Sequence, residues 1–166
     1  MRNIVRLFLI LFINVCNAGD YQVCFTPGQD CTALIVDTIS RAHQSIFVQA
    51  YSFTSAPIAK ALVDAKNRNV HVEVLLDKSQ SKKNKYTSAT FLINNHVSTW
   101  IDYKPSIAHN KVLIIDKKIV LTGSFNFTKA AQYKNAENVL IITSTNLAQS
   151  YLNNWCKRRE QSKIAN

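Results

Sequence analysis

Apolar residues recur along the chain at intervals that predict an alternation of strands and helices. Residues 21–25 read as a short strand, and Asp30 or Thr32 can cap a helix running to about residue 42, with Ile35, Ile39 and Ala42 at helical spacing. The run SIFVQAY over 45–51 reads as a buried strand. Ser55 and Pro57 open a second helix whose Ile58, Ala61, Leu62 and Ala65 form one face, and residues 67–69 end it before a strand over 70–76. Strand, helix, strand, helix, strand predicts parallel pairing. A polar, lysine-rich loop over 78–85 follows, then a helix over 87–94 and a short strand over 97–101.

Beyond Pro105 the pattern changes. Residues 111–115 and 119–122 are short apolar strands joined by the turn Asp116-Lys117-Lys118, the signature of an antiparallel hairpin. A further strand covers 137–143. Thr145 can cap a last helix with Leu147, Tyr151 and Trp155 facing inward and Lys157, Arg158 and Arg159 in its final turns, where cations suit the helix dipole. The expected fold is α/β: an α/β/α sandwich with a mixed central sheet and helices on both faces. No linker divides it, so residues 19–166 read as a single domain.

The first 18 residues, MRNIVRLFLILFINVCNA, follow a different rule. Arg2 and Arg6 form a positive start, residues 7–13 an apolar stretch, and Cys16 and Ala18 supply small side chains before a cut. This is the pattern of a secretory signal peptide removed after Ala18. A membrane anchor needs about 20 apolar residues, and Asn14 interrupts the run first. A lipid anchor on Cys16 is disfavoured by Val15 and Asn14, which are not the small residues usual there. The mature chain therefore has no integral membrane segment and is expected in the periplasm or outside the cell.

Charge sharpens the picture only partly. The chain carries 20 Lys and Arg against 10 Asp and Glu, a formal +10 that becomes +8 once Arg2 and Arg6 leave. A hydrophobic fraction of 47% excludes a disordered basic tail, and 3 Gly with 3 Pro excludes collagen-like or proline-rich sequence. A basic domain of this kind gathers polyanions, nucleic acid or anionic phospholipid alike. Export also alters the reading of the cysteines, since disulfides persist in oxidising compartments. Cys24 and Cys31 flank the turn Pro27-Gly28, so a local bridge is expected, with Cys156 left unpaired. The alternative is that all three are small buried apolar residues.

The chemistry gathers between residues 109 and 126, HNKVLIIDKKIVLTGSFN. Side chains alternate along a strand, so His109 and Lys111 share a face, a nucleophile beside a fixed cation. Ser124 and Asn126 share a face on the second strand, and Gly123 removes a side chain that would hold a ligand off the backbone. If the strands are neighbours, these groups converge on a donor-rich pocket suited to phosphate.

The spacing His109-x-Lys111, Asp116, Gly123-Ser124-x-Asn126 resembles the phospholipase D signature at every fixed position. With VCFTPGQDC, the YSFTS of residues 51–55, KALVDAKNRNV and GSFNFTKAAQYKNAENV, the mature chain is similar to the superfamily's small bacterial non-specific endonucleases. That resemblance implies metal-independent, cofactor-free cleavage of a phosphodiester through a phosphohistidine on His109. A second copy of the histidine protonates the leaving oxygen. Lys111 and Asn126 bind the non-bridging oxygens, Ser124 assists them, and Glu137 orients His109 by accepting its other ring N–H. Asp116 is read as structural support. This chain holds one such motif, so the resemblance implies a homodimer with a composite site.

Other residues carry weaker signals. Lys78, Lys82, Lys83 and Lys85 form either a solvated loop or a clamp on a nucleic-acid backbone. Tyr51 and Phe53 alternate and can stack bases, though core packing competes for at least one of them. His71-x-Glu73 lacks a third ligand at a recognisable spacing and reads as ordinary strand, and His43 and His96 read as structural. The functional expectation is an endonuclease of DNA and RNA, with phospholipid head-group hydrolysis as the alternative.

Overall fold

The structure, a computed structural model, describes residues 20–81 and 87–165, so the signal segment and Lys82, Lys83 and Lys85 lie outside the described residues. Its elements in chain order are β1 (Asp20–Thr26), α1 (Cys31–Ser40), β2 (Ser45–Ala50), α2 (Ala56–Asn67), β3 (His71–Asp77) and α3 (Ser88–Asn94). They continue with β4 (Ser98–Asp102), β5 (Lys111–Ile115), β6 (Ile119–Gly123), α4 (Lys129–Tyr133), β7 (Glu137–Thr143), α5 (Thr145–Glu160) and β8 (Lys163–Ile164). All eight strands form one mixed sheet in the order β1-β7-β6-β5-β2-β3-β4-β8.

Helices pack on both faces of this sheet. The larger core lies under α1, α2 and α3, where Ile35, Ile39, Ile58, Leu62 and Leu92 meet Ile46, Val48, Val74 and Leu113. On the opposite face, Ala148, Leu152 and Trp155 of α5 cover Phe47, Leu75, Val112, Ile114 and Val120. A strand buried on both faces needs no alternation. Hence every residue of β2 and β5 is buried, including the polar Ser45, Gln49 and Lys111 among the apolar side chains.

Local chemistry fixes the element ends. Asp30 Oδ1 accepts the N–H of Ala33 at 2.9 Å and starts α1, while a proline in the first turn starts α2 without a side-chain cap. For α5 the cap is Ser144, one residue earlier than expected, through the N–H of Leu147. Its inward seam is Ala148, Leu152 and Trp155, with Leu147 and Tyr151 at the margin, so the expected seam is rotated by about one residue. Trp155 satisfies its indole N–H on the Val48 carbonyl at 2.9 Å. The short α4 and β8 carry too few periodic positions to be read in advance.

The parallel pairing expected from the first half holds only in part. β2, β3 and β4 are parallel neighbours, as strand–helix–strand units require. β1 instead pairs antiparallel with β7 at the far edge, from Asp20 against Thr143 to Thr26 against Glu137. A crossover helix specifies that its strands return in the same direction. It does not specify how many strands fit between them, and β5, β6 and β7 fill that gap as an antiparallel meander. Cys24 and Cys31 are joined by a disulfide that ties β1 to the start of α1, and Cys156 is a free, exposed thiol.

Candidate active site

Antiparallel order brings the C-terminal ends of β2 and β6 beside the N-terminal ends of β5 and β7. Ala50 pairs with Lys111, Gly123 with Val139, and Glu137 opens β7. The residues expected to carry chemistry therefore meet at one end of the sheet, although they are spread over nearly 90 positions. The larger cavities, about 540 Å³ each, lie along α3 and are lined by other residues. The cluster is open, and His109, just ahead of β5, is exposed.

Lys111 is 6% exposed, and its ammonium donates to the His109 carbonyl at 2.8 Å and lies 3.1 Å from His109 Nδ1. An ammonium has no lone pair, so Nδ1 accepts and the neutral ring carries its proton on Nε2. Burial pulls the Lys111 pKa below the ordinary lysine value, against the opposing pull of the Glu137 charge. An anion that replaces this lost hydration has favourable terms of entry.

Asn126 offers the complementary group. Its Oδ1 is buried and unpartnered among the described residues. Such an atom costs about 1–3 kcal/mol until something meets it. The side-chain amide is thus uncommitted, and a half-turn about its last bond presents N–H donors instead.

Ser124 and Glu137 differ from expectation. The Ser124 hydroxyl donates to Glu137 Oε2 at 2.5 Å while accepting the Asn138 N–H at 3.1 Å, so its donor is already used. Glu137 accepts also from Asn135 Nδ2 at 2.9 Å, and not from His109 of the same chain. Within one chain, Ser124 therefore positions Glu137 instead of donating to phosphate, and the orienting bond to His109 is not formed. Gly123 has φ +148°, and a Cβ there would lie 2.2 Å from the Asn138 carbonyl oxygen. Glycine is required so that β6 and β7 can approach, not to admit a ligand.

Asp116 lies at the other end of β5, roughly 16 Å away at 3.3 Å per residue. In a left-handed turn position, φ 51°, it accepts the N–H groups of His43, Gln44 and Ser45 at 2.7–3.3 Å. Burial pushes its pKa up, but those N–H donors outweigh burial and hold the carboxyl below the usual value. Asp77 was not legible as a site residue. At the end of β3 it is 2% exposed and accepts the N–H of Ala108, next to His109, at 2.7 Å. Its pKa is likewise lowered despite burial, by the N–H groups of Ala108 and Ser79.

The two aromatic candidates separate. The Tyr51 ring lies 4.6 Å from the His109 ring between centroids, with the Lys111 ammonium 5.4 Å from its own centroid. Phe53 is fully buried and packs edge-on against Phe127, so it cannot stack a base. His71 faces Glu73 at 2.9 Å, and Glu73 also accepts from Trp100 Nε1 at 2.9 Å.

A buried cation against an exposed imidazole, with an unpartnered side-chain amide oxygen at the same end of the sheet, is an arrangement chemically suited to a phosphate ester. Residues 35–158 match the family described as cardiolipin synthase, PLD-like domain. The chain belongs to the phospholipase D superfamily and is a phosphodiesterase-type hydrolase of it. It is 50% identical over 138 residues to a phospholipase D of Rickettsia felis, covering 83% of this chain and 68% of the relative. To a phospholipase D of Rickettsia bellii it is 48% identical over 141 residues, covering 85% and 70%. The crystal structure of Nuc from Salmonella typhimurium, a phospholipase D family member, superposes with a TM-score of 0.83 at 37% identity, over 89% of this chain and 98% of that one. NucT from Helicobacter pylori gives 0.81 at 26% identity, over 89% and 99%.

Proposed function

We propose that the chain is an exported, metal-independent endonuclease that hydrolyses DNA and RNA at a site completed by a second copy. The observation that carries this reading is the match to Nuc over 98% of its length with the His109, Lys111 and Asn126 cluster intact. The endonuclease reading comes from the resemblance of residues 109–126 and their flanking segments to the superfamily's small bacterial non-specific endonucleases. The +8 charge of residues 19–166 suits a nucleic-acid polyanion. The Cys24–Cys31 bridge supports an oxidising compartment, and so the loss of residues 1–18 leaving one catalytic domain.

The scissile phosphate draws the Lys111 ammonium onto a non-bridging oxygen and off Nδ1. The ring then exchanges its proton with solvent, losing it at Nε2 and gaining it at Nδ1, and the freed Nε2 lone pair of His109 attacks phosphorus. The P–N bond forms as the P–O bond to the leaving oxygen breaks, and that oxygen takes a proton from His109 of the second copy. Water then attacks phosphorus, gives its proton back to that second imidazole, and releases the phosphate monoester with His109 restored. The second copy also offers Glu137 an imidazole to orient, which its own chain does not supply. Lys111 and Asn126 stabilise the charge on phosphorus, so the sequence calls for no metal.

The test is plasmid and RNA cleavage with EDTA present, for the wild type and His109→Ala. Cleavage persists in EDTA and falls at least ~10³-fold in the variant, as loss of a nucleophile does. Metal dependence, or an active variant, contradicts the reading. Phospholipid hydrolysis is the second reading, favoured by the phospholipase D names of the rickettsial relatives. Choline release from phosphatidylcholine vesicles at a rate matching plasmid cleavage would select it.

A further inference from the structure

We infer that Tyr51 is a positioning residue: its ring is the wall that sets the plane of the His109 imidazole and holds the Lys111 ammonium beside it. The inference rests on the reading of His109 as nucleophile. Two side chains needed at one phosphate both lean on this ring, with His109 4.6 Å away at a tilt of 51° and the Lys111 ammonium 5.4 Å from the centroid. The face of an aromatic ring is electron-rich, so it attracts a cation within about 6 Å and accepts a tilted imidazole at the same time.

The wall is itself fixed. Tyr51 N–H donates to the Asn110 carbonyl at 2.9 Å, between His109 and Lys111 in sequence, and extends the β2–β5 pairing by one residue. Three residues on, the N–H groups of Thr54 and Ser55 both donate to the Phe127 carbonyl at 2.9 Å, and Phe53 is locked against Phe127. Backbone on either side of Tyr51 is thereby tied to the strand bearing Lys111 and to the loop bearing Asn126. The Tyr51 hydroxyl has no hydrogen-bond partner among the described residues, so the ring, not the O–H, makes the contact.

Geometry explains why an exposed nucleophile needs such a wall. Beyond the Tyr51 ring, the His109 ring is held at Nδ1 by Lys111, the contact the phosphate must take away. Once Lys111 moves to the substrate, the Tyr51 face is what restrains the imidazole from within its own chain among the described residues, and a displacement of about 1 Å costs roughly 10²-fold in rate. One face of Tyr51 is already occupied, which disfavours its use as a platform for a base.

The experiment compares the wild-type protein with Tyr51→Phe, Tyr51→Leu and His109→Ala on plasmid DNA and on bis(4-nitrophenyl) phosphate, a diester with no nucleobase. Positioning predicts that Tyr51→Leu lowers kcat about 10–100-fold on both substrates with KM within twofold, while Tyr51→Phe stays within about threefold of wild type. Equal circular-dichroism melting curves certify the fold, and Tyr51→Met replaces the leucine variant if that one does not fold. A loss confined to plasmid, or a rise in KM alone, assigns the ring to base stacking and overturns the proposal. Full activity of Tyr51→Leu beside an inactive His109→Ala overturns it too. An active His109→Ala instead overturns the nucleophile reading itself, which keeps the two failures apart.

Discussion

At the C-terminal end of β5, the Asp116 carboxylate accepts three backbone N–H groups and is saturated. At the N-terminal end of the same strand, Lys111 is buried with a carbonyl and a ring nitrogen for company, and the nearby Asn126 side-chain oxygen has no partner. Both ends belong to one signature, yet their polar groups are in opposite states. A saturated group stabilises the fold and has nothing left to offer a ligand. An unsaturated one costs stability until a ligand arrives, the exchange that makes a rigid site useful.

Substitution at the two ends separates these roles, and the largest effect belongs to Lys111. Lys111→Met removes a buried cation while keeping its length, and is expected to lower kcat about 10²–10³-fold on bis(4-nitrophenyl) phosphate. Its melting temperature should hold or rise, because a buried, incompletely compensated charge is lost. A fall in both would blur the distinction between the ends.

Asp116→Ala should do the reverse. Removing an acceptor shared by three N–H groups is expected to destabilise by about 2–3 kcal/mol in urea unfolding, and to lower stability far more than activity per folded molecule. Asp116 and Asp77 both have folded pKa values below those of the unfolded chain. Their stabilisation is therefore complete above the unfolded value of about 4 and is lost as pH falls through the lower folded values. Melting temperature should decline below about pH 4, and less steeply in Asp116→Ala than in the wild type.

The smallest effect is expected at the Cys24–Cys31 bridge, at the sheet edge. Opening this short loop with Cys24→Ser and Cys31→Ser should cost about 2 kcal/mol, read as a lower urea midpoint, with kcat unchanged within twofold. A larger loss of kcat would show that β1 braces the catalytic end of the sheet through Thr26 and Glu137.

The sequence reads well where one segment carries the whole signal. The buried runs of β2 and β5, the 116–118 turn and the His109-x-Lys111 spacing each depend on neighbours in the chain, and each sits where the pattern places it. Reading failed where an outcome depends on a distant partner. Ser124 and Glu137 differ from expectation because they bond to each other across β6 and β7, 13 residues apart in the chain. Phe53 was indistinguishable from Tyr51 by alternation, and only Phe127 decides that one is core and the other is not. Asp77 gave no signal, since its target, the Ala108 N–H, is 31 residues away.

The sequence by itself determined the types of the longer elements, the two-sided burial of the central strands and which side chains are available for the proposed chemistry. These follow from side-chain periodicity and from the chemistry of imidazole, ammonium and side-chain amide. Tertiary structure alone decided that β1 joins β7, that Gly123 serves the packing of two strands, and that Glu137 leaves its own His109 unoriented. Each of those depends on which hydrogen-bonding groups meet across the sheet, and long-range pairing is not written into any local stretch of residues.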